Sequence, residues 1–257
     1  MPTTTRPEPS LPRNKARRLR VALVVAAAAA LIAALLLWRG SGATAVSHRA
    51  KPQVLMMTAL PIVWGEGGAF DPASRPAPFY TKIQKRFAVQ PIDALSDPRL
   101  PKAKLLLLIQ PRWLAPSELV ALDAWVRKGG RALILTDPRL GWPSDLPLGD
   151  IRRPPPAGLL APLLNHWGLT LEAGTEGVSR IDFGGRTLAV ENPGRLTGTG
   201  GHCTIVFRLR ANCRIGAGKA IVLADADLIR EDLWQNGTAD NPDVVAALLD
   251  TLASLPR

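Results

Sequence analysis

Apolar residues along this chain come in short unbroken runs and in helical periods. Leu105–Ile109 is one unbroken run, and Arg131–Thr136 holds another. Between them, Leu119, Leu122 and Val126 recur at helical spacing. A run without alternation suits a strand covered on both faces, and the helical period suits a helix with one buried side. The stretch Lys104–Pro138 therefore predicts strand, helix, strand. Pro116 fits the first turn of that helix, where its missing N–H is no loss. Gly129-Gly130 follows the last periodic residue and suits a left-handed stop. A helix of this length returns the chain for a second strand parallel to the first.

The same patterns extend the reading in both directions. Val54–Leu60 predicts a first strand, ending at Pro61 before Trp64-Gly65-Glu66-Gly67-Gly68. Glycines packed this densely around one carboxylate mark a tight turn or a close approach. Phe79–Phe87 predicts a helix with Phe79, Ile83 and Phe87 on one face. Val89–Ile92 predicts a weak strand, and Pro91 inside it places it at a sheet edge. Leu159–Trp167 predicts a helix stopped by Gly168, and Leu169–Glu172 a short strand. Residues 173–203 are Gly-rich, with a strand at Arg186–Val190 and a hairpin signal at Asp182-Phe183-Gly184-Gly185, which predicts a small antiparallel excursion. Lys219–Ala224 returns to the buried-strand pattern. Asn241-Pro242-Asp243 opens a last helix with a cap, a first-turn proline and a first-turn acid. Val244, Val245, Leu248, Leu249, Leu252 and Leu255 form its apolar face. The fold class is α/β, with a mostly parallel sheet.

A different pattern precedes this body. Residues 1–20 are proline-rich and basic without periodicity, which predicts a disordered tail. Val21–Trp38 is eighteen apolar residues without a charge. At about 1.5 Å per residue it nearly crosses a hydrocarbon core of about 30 Å. Arg20 and Arg39 bound it, and Trp38 is placed for the interface. It reads as a transmembrane helix, followed by a linker over residues 39–51 and a folded domain over 52–257. Six basic residues precede the span, so the tail is expected in the cytoplasm and the domain in the periplasm, anchored in the inner membrane. A cleaved signal peptide is the competing reading, with Ala43-Thr44-Ala45 as the small-residue cleavage site. The length of the apolar stretch favours an uncleaved anchor.

Charge supports the division. The whole chain is +11, but residues 1–51 hold nine Lys/Arg and one acid, against 23 and 20 in residues 52–257. The excess accompanies the apolar span, so it reports topology and not nucleic-acid binding.

Two cysteines, Cys203 and Cys213, flank the strand-like Ile205-Val206-Phe207. In an oxidising compartment such a pair reads first as a disulfide across a hairpin. A metal site with His202 is the rival, but no further ligands cluster there.

In an open α/β sheet, ligands bind beyond the carboxyl ends of the strands. Here those ends carry Trp64, Glu66, Gly67 and Gly68, then Arg112, then Asp137 and Arg139, and finally Asp225 and Asp227. Together they make a candidate rim for a small ligand or a partner. Paired acids can serve as general acid and base or hold a hard cation. The simpler role is that an Asp at a strand end caps the turn that follows. No Ser or Cys sits in a nucleophile elbow, no Gly-rich phosphate loop occurs, and no cofactor is called for. His48, His166 and His202 lie apart in sequence. The expectation is a non-enzymatic accessory subunit. The alternatives are an acid-rim hydrolase or metal-dependent enzyme, and a ligand sensor with a closed pocket lined by Trp64, Trp113 and Trp142.

The run LLLLIQPRWLAPSELVALDAWVRKGGRALILTDP, then LLAPLLNHWGL and KAIVLADADLI, resembles the extracytoplasmic domain of GldG-type auxiliary proteins of ABC transport systems. It also resembles a related bacterial domain of unknown function. The resemblance covers about residues 52–255. It implies a flavodoxin-type fold similar to class I glutamine amidotransferases. It also implies a membrane-anchored component partnered with an ATPase and a permease, or with another envelope complex. The amidotransferase nucleophile is not matched, since neither Cys203 nor Cys213 lies in an elbow.

Overall fold

The computed structural model describes residues 13–41, 50–182, 187–198, 201–235 and 243–255, with side-chain surroundings for 18, 20–35, 50–181, 188–198, 201–233 and 245–255. Ala43-Thr44-Ala45, His48, most of the Asp182–Gly185 hairpin signal and Asn241-Pro242 lie outside these residues. The chain divides into two compact units, Met1–Ala50 and Lys51–Arg257.

The first unit holds one helix, α1 (Arg13–Ser41), 29 residues long. Its side chains from Arg20 to Leu35 are exposed. Among the described residues, no helix is long and apolar enough to cross a membrane. The last three residues of the expected span, 36–38, lie beyond the described side chains.

The second unit is built on a seven-stranded sheet. Its strands are β1 (Gln53–Thr58), β2 (Ala88–Pro91), β3 (Leu105–Ile109), β4 (Arg131–Leu135), β9 (Cys203–Val206), β10 (Arg210–Ile215) and β11 (Gly218–Leu223). They lie in the order β2-β1-β3-β4-β11-β10-β9. The first five are parallel, with Leu105, Arg131 and Lys219 in register, and β10 and β9 are antiparallel. The predicted pairing of Leu105–Ile109 with Arg131–Leu135 is therefore present, and Pro91 does lie on an edge strand. Every residue of β3 is buried, as a strand covered on both faces requires. Two further antiparallel pairs are β5 (Leu169–Glu172) with β8 (Arg195–Gly198) and β6 (Val178–Asp182) with β7 (Thr187–Glu191); β6, β7 and β8 lie in the excursion predicted over residues 173–203, and β5 is the short strand predicted before it.

Helices α2 (Pro78–Arg86), α3 (Pro116–Arg127), α4 (Ala161–His166), α5 (Glu231–Gln235) and α6 (Asp243–Ser254) complete the unit. Pro116 opens α3, and the Glu118 carboxylate accepts the Ala115 N–H at 3.0 Å, half of a capping box. Gly129 takes φ +106° and ends the helix. Gly130 must be glycine for a different reason: a Cβ there would stand 2.4 Å from the Trp125 ring. That ring, nearly buried, donates its indole N–H to the Ala103 carbonyl at 3.2 Å. α4 is shorter than the predicted Leu159–Trp167, because Leu160 caps it and Gly168 turns at φ +79°. Leu163, Leu164 and Trp167 are buried as its period predicts, and the Trp167 indole donates to Asp123 at 2.8 Å. On α6, Val245, Leu248, Leu249 and Leu252 are buried, as is Leu255 just beyond its end.

Cys203 and Cys213 occupy facing positions on β9 and β10 and form a disulfide. This overturns the metal reading of His202 with these cysteines, since neither thiolate is free.

Candidate functional site

The carboxyl ends of β1, β3, β4 and β11 lie at one end of the sheet, because the four strands are parallel. Three acids follow these ends. Asp137, one residue beyond Thr136, and Asp225 and Asp227 beyond β11 each offer an oxygen within 4.8 Å of the others'. All three residues are fully buried.

Each carboxylate is also tied to the backbone. Asp137 accepts from the Arg139 N–H at 2.8 Å and from the Ala226 N–H at 3.3 Å. Asp225 accepts from Leu228 N–H at 3.0 Å, capping the short 3-10 turn Asp227–Ile229. Asp227 accepts from Gly141 N–H at 2.6 Å. The acids thus fasten the loop after β4 to the loop after β11. Two oxygens, Asp225 Oδ2 and Asp227 Oδ1, have no hydrogen-bond partner among the described residues. Arg230 stands 3.7 Å from Asp227 Oδ1 and also pairs with Glu191 and Asp232.

Burial disfavours the charged form of a carboxylate, and a neighbouring like charge adds to this. Burial pushes Asp137 up to about 7, aided by Asp227. It pushes Asp227 up to about 6 against the pull of the Gly141 N–H and Arg230. Asp225 is raised well above the usual range by burial and by both neighbours. The cluster therefore holds protons near neutral pH. Its three carboxyl groups are the residues that would hold a hard cation, but the Arg230 guanidinium already supplies a positive charge at Asp227.

The other rim residues do not join this cluster. Glu66 accepts from the Asp145 N–H at 3.2 Å, and its second oxygen is buried with no hydrogen-bond partner among the described residues. Gly65 and Gly68 turn the loop at φ +75° and +76°, and Asp71 occupies the place of a Gly67 Cβ. The glycines here shape a turn. Arg112 is not directed at the cluster: it grips both oxygens of Glu118 at 3.0 and 3.1 Å and donates to the Asp93 carbonyl. Burial opposes the charge on Glu118, yet Arg112 and the Ala115 and Leu95 N–H groups hold its carboxyl below the usual value. Arg139 pairs with Glu176 on the surface.

The closed tryptophan pocket is also corrected. Trp64 and Trp113 are 57% and 64% exposed. Trp142 lines an open cleft of about 790 Å³ with Arg75, Pro78 and Ile229. The loops after the strands point these rings outward, so they enclose nothing together.

The sequence places Gln110-Pro111-Arg112 at a strand end but assigns Gln110 no role. It is buried at the end of β3 with φ +35°, an uncommon conformation for a side-chain-bearing residue. Its amide oxygen accepts the Asp137 N–H at 2.7 Å, and its amide nitrogen donates to the carbonyls of Asp137 and Pro155. The position beside the strand end was legible, but the strained backbone was not. Arg230 and Glu191 were missed too, since β7 reaches the site only through the antiparallel excursion.

A family model described as "ABC-type uncharacterized transport system" matches residues 51–195. No curated protein matches the chain. Among solved structures, the chain is similar to cytoplasmic protein STM1381 from Salmonella typhimurium LT2. The TM-score is 0.51 at 8% identity, over 80% of this chain and 100% of that one. The mmIFT52 N-terminal domain gives 0.49 at 13% identity, over 80% and 97%. The exo-beta-1,4-mannosidase Op5Man5 from Opitutaceae bacterium strain TAV5 gives 0.48 at 11% identity. That match covers 81% of this chain, which spans only 36% of the mannosidase. At such identities the likeness concerns the fold alone.

Proposed function

This chain belongs to the ABC-type uncharacterized transport system family, and we propose that it serves such a system as a non-enzymatic, membrane-anchored accessory subunit. The family match over residues 51–195 is the observation that carries this reading. Within it, the apolar stretch Val21–Trp38 is the anchor and the unit Lys51–Arg257 is the presented body, on the periplasmic side of the inner membrane. Its partners are the ATPase and permease of the system. We assign the body to the GldG-type, amidotransferase-like group within the flavodoxin class. In support, the parallel strands taken in chain order lie 2-1-3-4-5, the flavodoxin arrangement.

The non-enzymatic part of the reading rests on the strand ends. A hydrolase elbow presents its nucleophile on a strained turn straight after a strand. Here the strained residue after β3 is Gln110, and its amide is consumed by backbone groups. The acid cluster beyond β4 and β11 is engaged in part, with Asp225 Oδ2 and Asp227 Oδ1 left without a hydrogen bond among the described residues. Each member accepts from a backbone N–H, and the bonds from Ala226 to Asp137 and from Gly141 to Asp227 brace one loop to the other.

Affinity purification of the full chain from detergent-solubilised membranes tests the assignment. Recovery of an ATP-binding subunit together with a permease is expected. Recovery of the chain alone across several detergents would overturn it.

A further inference from the structure

The cations of the folded unit are divided unevenly between the two ends of its sheet. At the carboxyl end, Arg112, Arg139, Arg152 and Arg230 are each held by a carboxylate. The opposite end is reached by the starts of the parallel strands and by the last turns of α2 and α3. It carries Lys51, Lys85, Lys102, Lys104, Lys128 and Arg214, all exposed. Lys128 follows α3 just before β4, Lys104 precedes β3, and Arg214 lies opposite Lys219 at the turn into β11. Lys51 reaches the Gln84 carbonyl at the end of α2, at 2.8 Å. None of these six has an ion pair among the described residues. The acids nearby are already engaged: Asp97 by Arg99, Asp123 by Arg127 and Asp250 by Arg86.

Two clefts open on the same end. One, of about 400 Å³, runs along Pro52, Leu55 and Leu105 with Lys102 and Lys104 beside it. The other, of about 410 Å³, runs along Leu100 and Trp125 with Lys104 and Lys128 beside it. Apolar floors edged by unpaired ammonium groups match the chemistry of a phospholipid headgroup region. This is also the end at which the chain enters the unit, at Lys51-Pro52 before β1.

We propose that this end of the unit is a docking face for an anionic phospholipid surface, with Lys102, Lys104 and Lys128 at its centre. The face holds the body down on the membrane and leaves the carboxyl-end loops turned away from it. The proposal rests on the anchored reading, since the residues ahead of Lys51 supply the tether. Each basic side chain at an anionic surface raises affinity by about fivefold, and salt weakens the attraction.

The test uses the full chain in nanodiscs, of phosphatidylcholine alone or mixed with phosphatidylglycerol. Lysine acylation is read by mass spectrometry. Acylation of Lys85, Lys102, Lys104 and Lys128 is expected to fall severalfold in the mixed discs at low salt. It should recover at high salt and stay high in phosphatidylcholine alone. In the variant Lys102→Gln/Lys104→Gln/Lys128→Gln, with an unchanged melting temperature, the protection of Lys85 should be lost. Equal acylation in both kinds of disc would overturn the docking face and leave the anchor standing. A chain that incorporates into neither kind of disc would remove the anchor itself, and the face with it. Protection by a soluble acidic polypeptide in phosphatidylcholine discs, matching that by phosphatidylglycerol, would replace the lipid with a generic polyanion and overturn the assignment.

Discussion

Gln110 shows how one side chain joins two loops. Its amide both donates to and accepts from the Asp137 backbone, and its second donor contact reaches the Pro155 carbonyl. Gln110 and Asp137 are both fully buried. Removing one partner from a buried hydrogen bond leaves the other unsatisfied, at a cost of about 1–3 kcal/mol. Gln110→Ala leaves the Asp137 N–H without its acceptor. Its unfolding free energy, read from the urea transition, should fall by that amount, with an unchanged denaturant slope. Glutamate tests the same geometry differently. Gln110→Glu keeps an acceptor for the Asp137 N–H but loses both donations and sets a further carboxylate beside Asp137. It should be the more destabilising change at neutral pH, and the gap should narrow on acidification. A Gln110→Ala protein as stable as the parent would show that the clamp contributes nothing.

At the scale of elements, the β3–α3–β4 unit was the most legible part of the chain. Its apolar runs need cover on both faces, and its proline and glycines mark the helix ends, so pattern and structure agree almost residue for residue. The end of the sheet was harder to read. β9 and β10 continue the main sheet antiparallel beyond β11, with mixed burial and no unbroken apolar run. Period alone could not assign such strands to the main sheet in place of the excursion. The disulfide was legible from the strand-like residues between its cysteines, and it sits where it matters, because β9 is an edge strand. Closing a loop of this size contributes about 3 kcal/mol at most. Cys203→Ser/Cys213→Ser should therefore speed amide exchange over Cys203–Val206 and lower the melting temperature by several degrees. Exchange in β3 and β4 should change only as far as global stability falls. Equal loss of protection in β3, with β9 unaffected, would show that the bond does not secure the edge.

For the molecule as a whole, the candidate site was legible in part. Asp residues beyond β4 and β11 were expected on one rim, and parallel strands do bring Asp137, Asp225 and Asp227 together. Glu66 and Arg112 were expected beside them. Local partners, Asp145 and Glu118, claim those side chains, and such loop contacts leave no periodic signal. The convergence has a consequence for global stability. Asp137 and Asp227 are raised to about 7 and about 6 in the folded protein, chiefly by burial. An unfolded Asp titrates near 3.9, so between about pH 4 and pH 7 the folded state binds more protons than the unfolded state. Stability from these groups is present below the unfolded value and is lost as pH rises through the folded ones. Glu118 and Asp123 work the other way: burial is the largest single influence and opposes their charge, but the hydrogen bonds from Arg112, Ala115 and Leu95 to Glu118, and from Arg127 and Trp167 to Asp123, together outweigh it and lower both. Their contribution is lost only as pH falls below about 4. The two trends place maximum stability on the acid side of neutrality, near about pH 5. The unfolding free energy read from urea transitions should fall from there to about pH 8, by an amount on the order of a few kcal/mol. Asp137→Asn keeps an acceptor for the Arg139 N–H and removes one of the titrating groups, so it should flatten that slope. A parent whose stability rises steadily from pH 5 to pH 8 would mean that the three acids do not share a buried, proton-holding environment.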